Sequence, residues 1–262
     1  NSCDKTSILA AAALGQSGHV IRELRPGKGN AVRTAFKQID AEQYLLVDAD
    51  HTYLAKDARK LLAPILDKTA DMVVGDRHSS GDYHRENKRN FHKFGNNLVK
   101  WLVNFFFQAK LQDIMSGYRA FNRTFVKNMP ILSEGFELET EMTLHALDKR
   151  FHIQEVSITY QDRPQGSVSK LNTVKDGLKV IRTIFWILKD YRPLAFFSFA
   201  ALLVLLLGVA CGVPVIQEFI ETSYIRHVPL AILAVGLVLT SLLLSAIALI
   251  LDTIVKFHRF DY

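Results

Sequence analysis

The chain has 262 residues, of which 49% are hydrophobic, and a formal net charge of +6. Its two cysteines, Cys3 and Cys211, are too few for the disulfide framework that holds many small secreted domains together. Residues 194–262 carry three Lys or Arg and four Asp or Glu, so residues 1–193 have a net charge of +7. A basic domain of this kind suits a partner that carries phosphates or anionic lipid headgroups.

Short apolar runs with strand character alternate with helical segments along residues 1–193. The predicted strands are His19–Leu24, Tyr44–Val47 and Met72–Gly75, and the predicted helices are Asp4–Gly15, a segment after Asn30, Ala58–Leu66 and a longer segment through Phe91, Phe94, Leu98, Trp101, Leu102 and Phe105. This alternation predicts an α/β fold, in which helices cover both faces of a mainly parallel sheet. Ligands of such sheets bind at the carboxyl ends of the strands, so the residues after Val47 are the first candidates for a site.

Asp48 and Asp50 follow that strand and, two residues apart on extended chain, point to the same side. Two carboxylates in this position suit Mg²⁺ or Mn²⁺ bound together with a diphosphate, because both cations prefer oxygen ligands. The string from Asp48 to Thr52 also fits the D-x-D-x-T nucleophile loop of haloacid-dehalogenase-type phosphatases, in which Asp48 would attack phosphorus and Asp50 would act as acid and base. That mechanism needs a later acidic pair, and no Asp-Asp pair follows in the chain.

Three later segments carry charges next to flexible chain. Met115–Phe121 places a glycine beside Arg119, and residues 135–141 supply three glutamates ahead of a predicted helix. Arg163–Lys170 is a Gly/Ser loop with a cation at each end, which is suited to closing over phosphates. Each of these segments is a weak indication by itself, whereas their order along one chain is more specific.

The last part of the chain has the composition of a membrane hairpin. The pattern of apolar and basic residues over 171–193 predicts an amphipathic helix, which would lie either at a membrane interface or packed on its own domain. Residues 194–216 and 228–251 contain no Asp, Glu, Lys, Arg or His, and each run is long enough to cross a hydrocarbon core of about 30 Å. The basic residues at the outer ends of the two runs predict a cytoplasmic domain and C-terminus: Lys189, Arg192, Lys256 and Arg259.

Taken in order, these motifs resemble the family 2 glycosyltransferases that load sugars onto polyprenyl phosphates, of the dolichol-phosphate mannose synthase type. The resemblance covers residues 1–193, and the hairpin is similar to that of the bacterial branch. The matching strings are Asn1–Thr6, Gly27-Lys28-Gly29, Asp48 with Asp50, Gly75-Asp76-Arg77, Ser116–Phe121, and Arg163 with Ser167–Lys170. The resemblance implies a GT-A (Rossmann-like) domain over residues 1–170 and an integral protein of the bacterial inner membrane.

The resemblance also implies an activity, which is the inverting transfer of a sugar from GDP-mannose, UDP-glucose or UDP-GlcNAc to undecaprenyl or dolichyl phosphate during cell-envelope glycan biosynthesis. Asp48 and Asp50 would hold Mg²⁺ or Mn²⁺. The implied donor-binding residues are Lys28, Asp48, Asp50, Arg163, Ser169 and Lys170. The implied acceptor-phosphate residues are Arg77, Arg89 and Arg119. The implied catalytic residues are Asp50, Arg119 and Glu139, with Glu137 or Glu141 as alternatives to Glu139.

The implied partners are the nucleotide sugar, the lipid acceptor, the membrane and further copies of the chain in a homo-oligomer, but no nucleic acid. The family's opening strand pattern, V-[IV]-P-x-[YF]-N-E, does not occur here, so we expect an N-terminally truncated domain that binds donor poorly. The Q-x-x-R-W string of processive polysaccharide synthases is also missing. A non-catalytic membrane scaffold would explain the hairpin but not the ordered set of charged loops.

Overall fold

The computed structural model describes residues 5–16, 18–79, 90–135, 137–161, 182 and 185–260. The chain divides into two compact units, Asn1–Val180 and Ile181–Tyr262, and each unit is described by itself. The helices of the first unit are α1 (Thr6–Leu14), α2 (Lys28–Gln38), α3 (Ala58–Leu66, after a 3-10 turn at Ala55–Asp57), α4 (Asn90–Phe107), α5 (Arg123–Asn128) and α6 (Leu138–Asp148). Its strands are β1 (Gln43–Leu46), β2 (Met72–Asp76), β3 (Arg119–Asn122) and β4 (Ile153–Ser157).

The four described strands form one sheet in the order β1-β3-β2-β4. β3 lies between β1 and β2 and is antiparallel to both, whereas β2 and β4 are parallel. The α/β class is therefore confirmed, but the described sheet is mixed, and the expectation of a mainly parallel sheet needs this correction. Hydrophobic periodicity does not report strand direction, so only the pairing itself reveals that β3 runs against its neighbours.

Helices cover both faces of this sheet, as the alternation of elements predicts. On one face Met72, Val74 and Phe121 pack with residues of α2, α5 and α6. On the other face Val73 and Ala120 pack with residues of α3. The two sets alternate along β2 and β3 because successive strand residues point to opposite faces. Because both faces of the sheet are packed against helices, the ends of its strands hold the adjoining loops in fixed positions.

The strand predicted over His19–Leu24 is not formed. Residues 18–24 are irregular in the structure, and the side chains of Val20 and Leu24 are exposed. A short segment of β-forming residues forms a strand only when a neighbouring strand supplies hydrogen bonds. No described strand pairs with this segment.

The second unit contains two long helices, α7 (Pro193–Thr222) and α8 (Val228–Phe260), which include both predicted spans. Both helices are long and apolar enough to cross a membrane, and only 17% and 11% of their most apolar windows are buried within the chain. The core helices of a water-soluble domain are mostly buried, and these two helices are not. Of the predicted helix over 171–193, only residue 182 and residues 185–193 lie within the described part, where residues 185–191 are helical.

Close packing and one hydrogen bond join α7 to α8. A Cβ atom built on Gly208 would lie 3.1 Å from Leu237 Cβ and 3.2 Å from Val238 Cγ2, so the glycine lets the two backbones approach. The buried Ser241 hydroxyl donates a hydrogen bond of 2.9 Å to the carbonyl oxygen of Ala201. Small residues and hydroxyl hydrogen bonds are the usual means by which helices associate in a lipid environment.

We expect Gly208→Leu to destabilise the packed hairpin by about 1–3 kcal/mol, because the larger side chain must push α8 away or adopt a strained conformation. Gly236→Leu is the matched control, since a Cβ atom built on Gly236 meets nothing within 4 Å. Unfolding of both detergent-solubilised variants by SDS, followed by circular dichroism, compares the two effects. Equal stabilities would contradict the close approach at Gly208.

Candidate active site

The site lies after β1, where the chain turns through Asp48, Asp50 and His51. Both carboxylates are partly exposed, as residues that receive a ligand must be. Asp50 is oriented locally, because the backbone N–H and the hydroxyl of Thr52 donate hydrogen bonds of 3.2 and 2.6 Å to its Oδ1. His51 adopts a φ of 63°, a left-handed conformation that costs a non-glycine residue energy and is found mainly where the surrounding structure enforces it.

Lys28, the first residue of α2, joins Asp48 to α6. Its Nζ lies 2.6 Å from Asp48 Oδ1 and 2.5 Å from Glu139 Oε1. Burial by itself would lower the pKa of Lys28, but the carboxylates of Glu139 and Asp48 outweigh burial and raise it above its usual value. The lysine therefore stays charged at neutral pH and links two carboxylates from distant parts of the chain.

The three glutamates of the 135–141 segment have different surroundings. Glu139 is buried and contacts Lys28. Glu141 accepts hydrogen bonds from the backbone N–H groups of Leu132 and Ser133 and so fixes the loop before α6. Glu137 is the N-cap residue of α6 and makes no side-chain capping bond there. Of the three, Glu139 is therefore the one joined to the Asp48 cluster by a contact that the structure gives.

The Ser116–Phe121 motif places the backbone of Gly117 close to Asp48 and Lys28. A Cβ atom built on Gly117 would collide with Asp48 Oδ2 and Lys28 Nζ, so a larger residue here would have to shift these two side chains. The N–H of Gly117 also donates a 3.1 Å hydrogen bond to the hydroxyl of Tyr53, three residues after Asp50. The loop that carries Gly117 and the loop that carries the two aspartates are thus held together.

Arg119 of the same motif is fully buried, and its guanidinium points into the protein rather than toward solvent. It donates hydrogen bonds to the carbonyl oxygens of Ser116 and Ile114 at 2.8 and 2.7 Å and to Thr143 Oγ1 at 2.9 Å. Burial lowers its pKa to about 10, so it remains protonated near neutral pH. A phosphate cannot reach this group in the present conformation, so the geometry favours a positioning role over the implied contact with the acceptor.

Arg77, one residue after β2, is anchored by a bidentate ion pair. Its Nε and Nη2 donate to Asp113 at 2.6 and 2.9 Å, and its guanidinium carbon lies 5.7 Å from the centre of the Tyr160 ring. Burial would raise the pKa of Asp113, but Arg77 outweighs burial and lowers it. Asp113 is held in turn through its backbone N–H, which donates to Glu155 Oε1 at 2.8 Å.

Four residues of the implied site lie outside the described residues: Arg89, Arg163, Ser169 and Lys170. Two further residues organise the site: Thr52, which the sequence indicated only as the last residue of the D-x-D-x-T string, and Tyr53, which it did not indicate. A weak signal for Thr52 existed, because an Asp with a hydroxyl residue two positions later often forms a local side-chain hydrogen bond. The hydroxyl of Tyr53 meets a residue 64 positions away, so no local signal could have shown it.

The chemistry of Asp48 and Asp50 fits a divalent cation that is completed by substrate. Within the described residues there is no group of three or more His, Cys, Asp or Glu side chains placed to hold a metal ion. Mg²⁺ is seldom held by an all-protein cage and is usually bound by one or two carboxylates together with substrate phosphates. Two partly exposed carboxylates at a strand end match that arrangement.

Comparisons with known proteins point to one enzyme family. The model of the family described as glycosyl transferase family 2 matches residues 1–129. The glycosyltransferase AglJ of Haloferax volcanii is 32% identical over 259 residues, which cover 98% of this chain and 83% of AglJ. The polyprenol monophosphomannose synthase of Mycolicibacterium smegmatis is 27% identical over 132 residues, or 48% of each chain.

Solved structures share the fold at low sequence identity. Glucosyl-3-phosphoglycerate synthase from Mycobacterium tuberculosis, in complex with phosphoglyceric acid, superposes with a TM-score of 0.53 at 18% identity and confirms the expected GT-A fold. The match covers 72% of this chain and 65% of the synthase, so this chain spans less than two thirds of its length. A second structure of that synthase, with a TM-score of 0.51, contains Mn²⁺, UDP-glucose and phosphoglyceric acid.

The phosphatase alternative for the D-x-D-x-T string is wrong, because the relatives belong to a different enzyme class. The string is explained equally well by a metal-binding D-x-D followed by the threonine that orients Asp50. The extent of the match to AglJ, together with the family model, identifies the chain as a member of glycosyl transferase family 2.

Proposed function

We propose that this protein transfers a sugar from a nucleotide sugar to the phosphate of a polyprenyl phosphate at the cytoplasmic face of a membrane. The observation that carries the proposal is the combination, in one chain, of an Asp48/Asp50 site with two helices that could cross a membrane. Similarity to a polyprenol monophosphomannose synthase supports a lipid acceptor. Similarity in fold to a synthase that binds UDP-glucose with Mn²⁺ supports a nucleotide-sugar donor and a divalent cation.

On the donor side, Asp48 and Asp50 would hold Mg²⁺ or Mn²⁺ together with the diphosphate of the donor. The cation, when bound, would neutralise charge on the departing nucleoside diphosphate. Thr52 keeps Asp50 oriented, and Gly117 closes one side of Asp48. We assign Arg163, Ser169 and Lys170 to the same diphosphate and Glu139 to a place beside the sugar.

On the acceptor side, an oxygen of the lipid phosphate would attack the anomeric carbon while the bond from that carbon to the diphosphate oxygen breaks. The sugar configuration inverts, and the nucleoside diphosphate leaves with the bonding electrons. A phosphate is already ionised near neutral pH, so the attack needs no strong general base. Arg77 and Arg89 are our candidates for binding this phosphate, and Asp113 would keep the Arg77 guanidinium in a fixed orientation.

The covalent link to α7 and α8 would serve this reaction. A polyprenyl phosphate keeps its tail in the bilayer and its phosphate at the surface. An enzyme domain tethered to the same bilayer meets that phosphate at a much higher effective concentration than a freely diffusing domain would. The tether therefore contributes to the rate at low acceptor density.

The test is a screen of membranes that contain the protein, with radiolabelled GDP-mannose, UDP-glucose and UDP-GlcNAc as donors and undecaprenyl or dolichyl phosphate as acceptors. We expect label from one donor to enter the lipid phase, and the addition of EDTA to prevent this. Membranes without the protein provide the control. Transfer of label only to water-soluble acceptors such as phosphoglycerate would contradict a lipid acceptor.

A further inference from the structure

Lys28 occupies an unusual position for a donor-binding residue, because it already neutralises a candidate metal ligand. Its Nζ contacts Asp48 Oδ1 and Glu139 Oε1 at 2.6 and 2.5 Å. The Lys28 and Glu139 side chains are only 17% and 7% exposed, respectively, and Asp48 is the most accessible member of the cluster at 34%. The pair formed with Glu139 is therefore sheltered from water, and the contact with Asp48 is the one nearer to solvent.

We propose that Lys28 is a built-in competitor of the divalent cation, holding Asp48 when no donor is bound and giving it up when cation and donor arrive together. This inference rests on the proposed function, because it takes Asp48 as a metal ligand. A divalent cation at about 2.0–2.2 Å from Asp48 Oδ1 would lie next to an ammonium group 2.6 Å from the same atom. Two such charges repel in a partly buried site, so each weakens the binding of the other to Asp48.

The surroundings of Asp48 restrict where a cation can approach it. Its other oxygen, Oδ2, faces the backbone of Gly117 so closely that not even a methyl group fits between them. Lys28 thus contacts one oxygen of the carboxylate, and the backbone of Gly117 restricts the approach to the other. A cation that binds Asp48 through Oδ1 therefore competes with the lysine for that oxygen.

Lys28 would need to move only a short way. Glu139 is buried and remains as its partner, so the ammonium keeps one charged contact while it leaves Asp48. The donor diphosphate supplies the negative charge that Lys28 loses and also the oxygen ligands that two aspartates cannot provide. The consequence is that the cation alone binds weakly and the cation with donor binds well, which prevents a metal-loaded site from forming without substrate.

The experiment measures binding of Mn²⁺ alone, without nucleotide, to the full 262-residue chain in detergent by isothermal titration calorimetry. Lys28→Met by itself would leave Glu139 buried without a partner and risks misfolding. The informative protein is therefore the double variant Lys28→Met with Glu139→Gln, and Glu139→Gln alone is its matched control because it keeps the lysine on Asp48.

We expect the double variant to bind Mn²⁺ about tenfold more tightly than Glu139→Gln alone, since removal of the competing ammonium frees Asp48. Adding Asp48→Asn should abolish this gain. Equal affinities in the two proteins, with binding that still depends on Asp48, would overturn the role of Lys28 and leave the metal site intact. Tight binding that persists without Asp48 would instead overturn the metal assignment on which the proposed function depends.

Discussion

Replacing Asp50 with alanine should lower kcat/KM for sugar transfer by about a hundredfold to a thousandfold, the size of loss found when one charge-stabilising group is removed from an active site. Asp50 is partly exposed at a strand end and is oriented by two hydrogen bonds from Thr52. Its loss would leave Asp48 as the remaining carboxylate for the cation. The measurement is transfer of radiolabelled sugar to polyprenyl phosphate in membranes at saturating Mg²⁺ or Mn²⁺.

A graded series makes this prediction more specific. Thr52→Val keeps the shape of the buried threonine but removes the 2.6 Å hydrogen bond to Asp50, so we expect a loss of about tenfold to a hundredfold. Asp67→Ala, at an exposed position after α3, is the control and should retain full activity. Transfer that survives Asp50→Ala while Thr52→Val lowers it would count against metal binding by Asp50.

Replacing Arg119 with methionine should destabilise the first unit by about 2–5 kcal/mol, because two buried carbonyl oxygens would lose their donor. Arg119 binds the carbonyl oxygens of Ile114 and Ser116 and the hydroxyl of Thr143, all within the protein interior. Denaturant unfolding of the detergent-solubilised chain, followed by circular dichroism, measures the loss. The same variant should also lower activity, since the carbonyl at Ser116 directly precedes the glycine that packs against Asp48.

Arg123→Met is the matched control for this experiment. Arg123 lies four residues further along the chain and pairs with Asp40, but both side chains are exposed to solvent. Exposed ion pairs contribute little, so this variant should leave the unfolding free energy nearly unchanged. If Arg119 bound the acceptor phosphate directly, its replacement would raise KM for the lipid and leave stability at the level of the Arg123 variant.

The parts of the site that the sequence could predict are those carried by neighbours in the chain. Asp48 and Asp50 follow an apolar run, and a carboxylate at a strand end is local information. The same holds for the glycine of the Ser116–Phe121 motif, because a glycine within a charged loop indicates a close approach of the backbone. In the structure, the backbone at Gly117 lies close to Asp48. Residue types and short spacings are therefore enough to single out this region as a candidate site.

The role of Arg119 could not be predicted from its motif. An arginine two residues after a glycine in a charged loop is typical of a phosphate-binding site. Its burial here depends on the position of β3 between β1 and β2, which the local sequence does not determine. The contact between Lys28 and Glu139 joins residues 111 positions apart, and the choice among three glutamates depends on which of them faces α2. Such contacts are decided when the helices pack on the sheet.

The sequence by itself determined the α/β class, the two long apolar helices and the position of the aspartate pair, because each depends on periodicity or composition within a short stretch of chain. Only the tertiary structure decided the direction of β3, the burial of Arg119 and the pairing of Lys28 with both Asp48 and Glu139. The physical reason is that the same short stretch of sequence allows a charged side chain to bind a phosphate, to pair with a metal ligand or to lie buried in the interior. Which of these it does is determined by the partners that distant segments bring to it.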